Sequence, residues 1–260
     1  MSLPLYLVLG SSSAGRRGVC LDTINRALND DDFCTVFVSE SEKPSESDKR
    51  IASSQHGGFV RYKDAKDAFE KLQSLDESQI SHVFFLVDST RNLADAIEEA
   101  KDLIDGKKIS LAAIWGVLDC GMLARFPEQC QTFADALSHF SDALLLSRRD
   151  GLSNRQVADI KARYEKQCKP HHYFYVDSDL KVDKPIELMI EEARRISVIF
   201  DEFDPIDDLD IDENNLPEEP FDLERKPDPY LERQSNGARV RPIPDVREFA
   251  ALARNAQKTE

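Results

Sequence analysis

Short apolar runs alternate with amphipathic stretches along the chain up to about residue 200. Six of the runs are continuously apolar, at residues 3–9, 33–38, 82–87, 111–118, 143–146 and 172–176. Continuous rather than alternating apolar strands are typical of a sheet that is buried on both faces. The pattern therefore predicts a parallel doubly wound α/β sheet of six strands, flanked by the helices that separate them.

The stretches between the runs have helical spacing. Residues 19–28 follow the first strand, residues 93–104 place four apolar side chains on one face, and Ser153 opens a third helix with a capping box. Pro185 suits a first helical turn, and apolar residues recur at helical spacing from there to Phe200. We therefore expect a long helix over residues 185–200, which completes a domain of residues 1–200.

The pattern breaks at Asp201. Residues 201–225 contain twelve acidic residues and one arginine, a net charge of −11 out of −15 for the whole chain. Such a segment repels itself and has little to bury, so residues 201–260 are predicted to form an acidic, largely flexible extension that is separable from the domain. Near the end of this extension, Asp245 caps a short amphipathic helix. The sequence leaves two alternatives for this helix, docking on its own domain and docking on a partner protein.

Charge and cysteine content exclude several classes of protein. Outside the acidic segment the net charge is only −4, which gives no support for binding nucleic acid. Five scattered cysteines form no CxxC pair, and neither a leader-like start nor a membrane-length apolar run is present. These features predict a reduced, cytoplasmic protein that does not associate with membranes.

A glycine- and serine-rich loop joins the first strand to the first helix. Its spacing, which is glycine, four residues, glycine and then a cation, is that of a phosphate-binding loop. In the intact pattern a lysine reaches the phosphates and the next hydroxyl ligates Mg²⁺, but arginines occupy both positions here. An ordinary turn rich in small residues is the alternative. The candidate phosphate-binding residues are Gly10, Ser11, Ser12, Ser13, Ala14, Gly15, Arg16 and Arg17.

Polar side chains also follow the later strands. Asp88 ends the third run, Asp119 ends the fourth, and Ser147 and Asp150 follow the fifth. Each alone is typical of a helix cap or turn. Because ligands of such sheets bind beyond the carboxyl ends of the strands, we expect these four residues to lie at the same site as the loop.

The order of these motifs resembles the CobW/HypB/UreG group of P-loop GTPases, especially its CobW-like branch, over roughly residues 3–176. The loop stands where that family has its Walker A motif, and residues 88–90 and 93–95 are similar to its acidic-Thr-Ser-Gly and Leu-Ala-Asp-Pro segments. Asp119 matches a strand that ends in Val-Asp. Residues 141–143 and 147–152 are similar to Ala-Asp and to the guanine-reading Asn-Lys-x-Asp-Leu, in which Asp150 is the carboxylate that contacts guanine.

The departures from the family are systematic. Ser147 and Arg148 replace the asparagine and lysine of the guanine motif, and residues 56–61 hold no cysteine where the CobW-like Cys-x-Cys-Cys metal motif is expected. The resemblance therefore implies a GTP or GDP site that binds weakly and makes little use of Mg²⁺, with no metal site.

Three hypotheses for function remain. The favoured one is a divergent nucleotide-binding protein that hydrolyses little or nothing and acts in regulation or assembly, because phosphoryl transfer depends on the groups that are lost. The second is a nucleotide-free interaction module that uses the acidic extension and terminal helix. The third is an active GTP-dependent metallochaperone in which Arg16 and the serines compensate. No catalytic residue is assigned, and a protein partner and homodimer formation are both left open.

Overall fold

Seven parallel strands form one sheet in the computed structural model, which describes residues 2–104, 109–201 and 227–257. All six predicted runs are strands, and a seventh lies among them. The strands are β1 (Leu3–Leu9), β2 (Cys34–Ser39), β3 (Gly57–Tyr62), β4 (His82–Leu86), β5 (Ile109–Asp119), β6 (Ala143–Ser147) and β7 (His172–Tyr175).

The strand order is β3-β2-β4-β1-β5-β6-β7, with β1 at the centre between β4 and β5. The chain passes from β1 outward to β2 and β3, returns to β4, and then crosses β1 to fill the other half of the sheet. The loops after β1, β4 and β5 therefore meet at one edge, where the direction of winding changes. This is a parallel doubly wound α/β fold.

Helices cover both faces of the sheet. Alternate residues of β1 serve the two cores: Leu5 and Leu7 belong to one buried cluster, Tyr6 and Val8 to the other. The helices are α1 (Arg16–Ala27), α2 (Glu46–Ala52), α3 (Ala65–Gln73), α4 (Leu93–Ile104), α5 (Cys120–Arg125), α6 (Pro127–Phe140), α7 (Asn154–Lys166), α8 (Pro185–Leu188) and α9 (Arg247–Gln257).

The strand that the sequence pattern missed, β3, lies at one edge of the sheet. Only its two terminal residues, Gly57 and Tyr62, are buried, and the four between them are half-exposed. A strand with one neighbour and a half-exposed face needs no continuous apolar run, so its sequence lacks the pattern that marks the inner strands.

The long helix expected over residues 185–200 is wrong, since α8 ends at Leu188. Backbone N–H groups beyond it bond to the core instead of to helical carbonyls. Ile196 and Ser197 donate to the carbonyl oxygen of His139. Arg194 and Arg195 donate to the buried carboxylate of Asp142, which also receives the Arg195 guanidinium. These tertiary acceptors outweigh the helical periodicity.

Residues 227–257 pack against the helical layer of α4, α5 and α6. Tyr230 is buried with its ring 5.1 Å from that of His139, and Asp228 accepts hydrogen bonds from His139 and Ser197 at 2.8 and 2.5 Å. Arg239 forms ion pairs with Asp95 and Glu98 on α4. This part of the predicted extension is therefore joined to the domain by buried contacts.

Helix α9 docks on its own domain through its apolar face. Val246, Ala250 and Ala253 are buried, and the Phe249 ring lies 5.1 Å from that of Phe126. Of the two alternatives left open for this helix, the structure has the intramolecular one. The acidic residues 202–226 lie outside the described part of the chain, so the proposed boundary at Asp201 stays a prediction.

No helix within the described residues is both long enough and apolar enough to span a membrane.

Candidate functional site

The loop between β1 and α1 depends on two glycines. Gly10 has φ 133° and Gly15 has φ 87°, in the region that side-chain-bearing residues avoid. A Cβ at Gly10 would collide with the carbonyl oxygen of Val117 on β5, and one at Gly15 would collide with Leu180. The phosphate-loop spacing in the sequence therefore corresponds to a real requirement of the backbone.

Inside the loop, the Ser11 and Ser13 hydroxyls are buried and hydrogen-bonded to each other at 3.0 Å, and the Ala14 N–H donates to the Ser11 carbonyl oxygen at 3.2 Å. Several other N–H groups have no acceptor within the described chain, so the backbone still offers donors to an anion. These N–H groups belong to Ser12, Ser13, Gly15, Arg16 and Arg17.

Arg16, at the Walker lysine position, points into the protein. It is 3% exposed, and its guanidinium donates to the carbonyl oxygens of Val8, at 3.2 Å, and Val87, and to the carboxylate of Glu42. Val8 lies on β1 and Val87 directly follows β4. The guanidinium is therefore held between the carboxyl ends of these two strands.

Glu42 is the counter-charge for both loop arginines. Its Oε1 accepts from Arg16 and from the backbone N–H of Ser89 at 3.0 Å, and its Oε2 accepts from Arg17 at 3.1 Å. Burial alone would raise the pKa of this carboxyl, but Arg16, the Ser89 N–H and Arg17 hold the pKa below its usual value. A carboxylate of the protein thus fills the role that an anionic ligand plays for such arginines.

Arg17, at the position of the metal-binding hydroxyl, completes an internal network. Its guanidinium lies 3.2 Å from Asp48 and donates to the Lys43 carbonyl oxygen at 2.7 Å. Arg61 of β3 lies 3.4 Å from Asp48 and donates to the Glu42 carbonyl oxygen. We call Arg16, Arg17, Arg61, Glu42 and Asp48 the Glu42 network.

Asp88 reaches the same sheet edge but is satisfied by neighbouring residues. One carboxylate oxygen accepts from the Ser39 hydroxyl at 2.8 Å, and the other accepts from the N–H and hydroxyl of Thr90 at 2.9 and 2.8 Å. It lines a cavity of about 150 Å³ that also touches Gly10 and Ser11. The carboxylates of Asp88 and Glu42 are thus both engaged by protein donors.

Asp119 and Ser147 support the loop from behind. Asp119 caps α5 by accepting from the Met122 N–H at 2.7 Å, and its other oxygen is buried without a partner in the described residues. Burial raises the pKa of this carboxyl. Ser147 donates to the Ala14 carbonyl oxygen at 2.8 Å. These predicted site residues therefore contact or underlie the loop, and both are enclosed by protein.

The residues that resemble the guanine motif lie in two places, Arg148 against the glycine loop and Arg149 and Asp150 away from it. Arg148 has φ 53° and donates from Nε to the Ser13 carbonyl oxygen at 3.1 Å, so it braces the loop. Arg149 turns to the Val176 carbonyl oxygen and lies over the Tyr175 ring. Asp150 is exposed and lines neither cavity beside the loop. A guanine-binding role for Asp150 stays a prediction.

The second cavity is a cleft of about 500 Å³ in front of the loop. It is lined by residues 12, 15–18, 41–45, 47, 89–90, 148 and 180, and by Arg247 and Arg254 of α9. The basic cleft, as we name it, has six cationic side chains in its wall and one acidic side chain, Glu42. The cations are Arg16, Arg17, Lys43, Arg148, Arg247 and Arg254.

Most of this cleft could not be found from motifs. Glu42 and Lys43 lie in a loop after β2 that carries no recognisable pattern, and Arg247 and Arg254 are about 230 residues from the glycine loop. Only the docking of α9 brings its arginines there. The two arginines that flank the apolar face of the terminal helix at helical spacing were the indication available in the sequence.

In the part of the chain that the structure describes, no three His, Cys, Asp or Glu side chains are grouped so that they could hold a metal ion. His56, at the place of the family's cysteine motif, approaches the Asp32 carbonyl oxygen with Nδ1 at 3.1 Å.

No protein family and no curated protein matches the sequence. Two solved structures that match are the Zn(II)-bound YjiA GTPase from E. coli and the signal recognition particle receptor FtsY from Elizabethkingia anophelis in complex with GDP. YjiA is 12% identical with a TM-score of 0.45, and the match covers 74% of this chain and 62% of that one. FtsY is 13% identical with a TM-score of 0.49, at 74% and 65% coverage.

This chain spans less than two thirds of the length of either structure. Similarity at this level carries no argument about function, and it does not separate the CobW-like branch from other GTPases. Membership of that branch stays a prediction.

Proposed function

We propose that this protein binds a guanine nucleotide, GTP or GDP, weakly at the glycine loop, makes little use of Mg²⁺, and hydrolyses the nucleotide poorly or not at all. One observation carries the proposal: Arg16 and Arg17, at the two positions that phosphoryl transfer needs, are both bound to Glu42. The loop keeps backbone N–H groups that can donate to a phosphate, whereas the guanidinium groups of Arg16 and Arg17 are paired with Glu42.

The loss of hydrolysis follows from what the two arginines replace. P-loop enzymes hold the β- and γ-phosphates with a lysine and hold Mg²⁺ with the following hydroxyl. Arg17 offers no oxygen to a metal, and Asp88 is already hydrogen-bonded to Ser39 and Thr90. Losing both contributions is expected to lower the rate by about 10³-fold or more.

A protein of this kind acts through its ligand-bound and ligand-free states rather than through turnover, which suits a regulatory or assembly role. The partner would be another protein or a second copy of this chain. The apolar face of α9 is covered by its own domain, so it is not the surface for such a partner. The acidic residues 202–226 remain a candidate by their charge alone.

The second candidate function is a nucleotide-free interaction module. It is favoured by the same Glu42 carboxylate, which satisfies both arginines as a bound anion would and stabilises the loop without a ligand. The third hypothesis, an active GTP-dependent metallochaperone, needs Arg16 and the loop serines to face the phosphates. Arg16 is instead paired with Glu42, and the Ser11 and Ser13 hydroxyls pair with each other.

The direct test is steady-state phosphate release from GTP with the full-length chain and Mg²⁺. We expect release at background level for the wild type and no change on Arg16→Ala. Robust Mg²⁺-dependent release that Arg16→Ala abolishes would establish an active GTPase and overturn the proposal.

A further inference from the structure

We propose that α9 is a wall of a binding site for a polyphosphate chain, in which Arg247 and Arg254 bind the outer phosphoryl groups without a metal ion. The inference rests on the proposed function only in placing the inner phosphoryl group at the glycine loop. It deepens that function by assigning two binding residues and a ligand class.

The first step is the geometry of α9. Arg247 and Arg254 are seven residues apart, which places them two turns apart on one face of the helix. Both are exposed and both line the basic cleft. The adjoining side of the helix carries the buried Ala250 and Ala253, and Val246 is buried directly before its first turn, so the helix is held on the domain before any ligand arrives and little backbone ordering cost remains.

The second step is the charge of the cleft. Glu42 offsets Arg16 and Arg17, and Arg148 donates through Nε to the carbonyl oxygen of Ser13. Arg247 shares its guanidinium with the neighbouring Asp245, with Nε 2.8 Å from Oδ2. Lys43 and Arg254 have no acidic partner within the described residues. A ligand with several negative charges would therefore neutralise the remaining positive charge of the cleft. Arginine side chains suit this role because a guanidinium binds two phosphoryl oxygens at once.

The third step concerns the metal. Mg²⁺ at a phosphate site needs protein oxygens in addition to phosphate oxygens. The carboxylates of Asp88 and Glu42 are occupied by donors of the protein, and that of Asp119 is enclosed behind the loop with only 1% of the residue exposed. Positive charge at the outer phosphoryl groups therefore comes from α9. Hydroxyl groups in the cleft wall add neutral donors, from Ser12, Ser41, Ser47 and Ser89.

The test is calorimetric titration of the full-length chain with inorganic tripolyphosphate, pyrophosphate, orthophosphate and GDP, at low salt with a chelator present. We expect tripolyphosphate to bind more tightly than pyrophosphate, and orthophosphate least tightly. The double variant Arg247→Gln/Arg254→Gln should weaken tripolyphosphate binding by about tenfold or more and leave orthophosphate binding little changed. Of the two single variants, Arg254→Gln should cost more, because Arg247 is partly engaged by Asp245.

The matched control is Arg155→Gln/Lys166→Gln, which removes two exposed charges of α7 outside the cleft. It changes net charge equally and should alter tripolyphosphate affinity by less than about twofold, because distant exposed charges are screened. Thermal unfolding of each variant checks that α9 stays docked.

The proposal is overturned if wild-type chain does not bind tripolyphosphate, if binding requires Mg²⁺, or if the double variant and the control lose affinity equally. GDP separates the two proposals. If GDP binds the wild type and the double variant equally well, the role of α9 fails and the proposed function stands. If tripolyphosphate binds through α9 and GDP does not bind, the nucleotide proposal fails and the role of α9 stands.

Discussion

The basic cleft has an inner and an outer group of cationic side chains, which are chemically similar but differ in burial and in pairing with an acidic residue. The inner side chains, Arg16 and Arg17, are 3% and 12% exposed and are bound to Glu42. The outer ones, Lys43, Arg247 and Arg254, are exposed on the cleft wall. The difference lies in where the protein supplies a counter-charge, which the residue types alone do not show.

The two groups are therefore expected to contribute to different properties, the inner group to stability and the outer group to ligand binding. Removing a partner from a buried ion pair leaves an uncompensated buried charge, so changes in the inner group should act mainly on stability. Exposed cations are screened by salt and contribute little to folding, so changes in the outer group should act mainly on ligand binding. The predictions below test that division.

The largest effect is expected when the chain after residue 226, which includes the α9 wall of the cleft, is removed. A chain ending at residue 226 loses the buried Tyr230, Ile243, Val246, Ala250 and Ala253 and exposes the surface of α5 and α6 beneath them. We expect it to lose about 5 kcal/mol or more of unfolding free energy, or to aggregate. Denaturant unfolding measures this, and a chain lacking only residues 258–260 is the control. Cooperative unfolding within about 1 kcal/mol of full length would show that the wall is not part of the domain.

The next effect concerns the inner group. Glu42→Ala leaves Arg16 and Arg17 without their shared carboxylate, and we expect a loss of about 3–5 kcal/mol. Glu46→Ala is the control, because Glu46 is exposed and its carboxylate pairs with the exposed Lys49 on the same helix, so about 0.5 kcal/mol or less is expected. Denaturant unfolding with unchanged slope compares the two. Equal losses for both variants would remove the distinction between inner and outer charges.

A smaller effect should appear on acidification. The pKa of Glu42 is lower in the folded protein than its usual 4.5, so its ionised form stabilises the fold above that pH. That contribution is lost as the pH falls below 4.5 toward the folded pKa. The stability difference between wild type and Glu42→Gln should therefore be full at pH 7 and shrink at low pH. A difference that stays constant from pH 7 to pH 3 would contradict the ion-pair account.

Much of the fold could be predicted from the sequence because inner parallel strands must be apolar along their whole length. The five inner strands follow this rule, and the edge strand β7 was found through its aromatic residues, whereas the other edge strand, β3, lacks the pattern. The helix expected over residues 185–200 failed because acceptors far away in sequence, His139 and Asp142, bind its backbone N–H groups. Periodicity contains no information about such partners.

The site was predictable to a smaller extent. The glycine loop and Asp88 lie at the sheet edge where the motif order places them, because β1 and β4 are neighbours. The orientation of Arg16 was not predictable, since it depends on Glu42, a residue in an unpatterned loop 26 positions away. The arginines of α9 reach the cleft only through the packing of a helix whose docking the sequence left open.

The central claim is that the inward pairing of Arg16 and Arg17 with Glu42 leaves no metal-assisted phosphate chemistry at the loop. Calorimetric titration of the full-length chain with GDP and GTP, with and without Mg²⁺, tests it most directly. The account predicts weak affinities that Mg²⁺ changes by less than about threefold, because the carboxylates of Asp88 and Glu42 are already engaged by donors of the protein. A tightening of tenfold or more on adding Mg²⁺ would contradict the account.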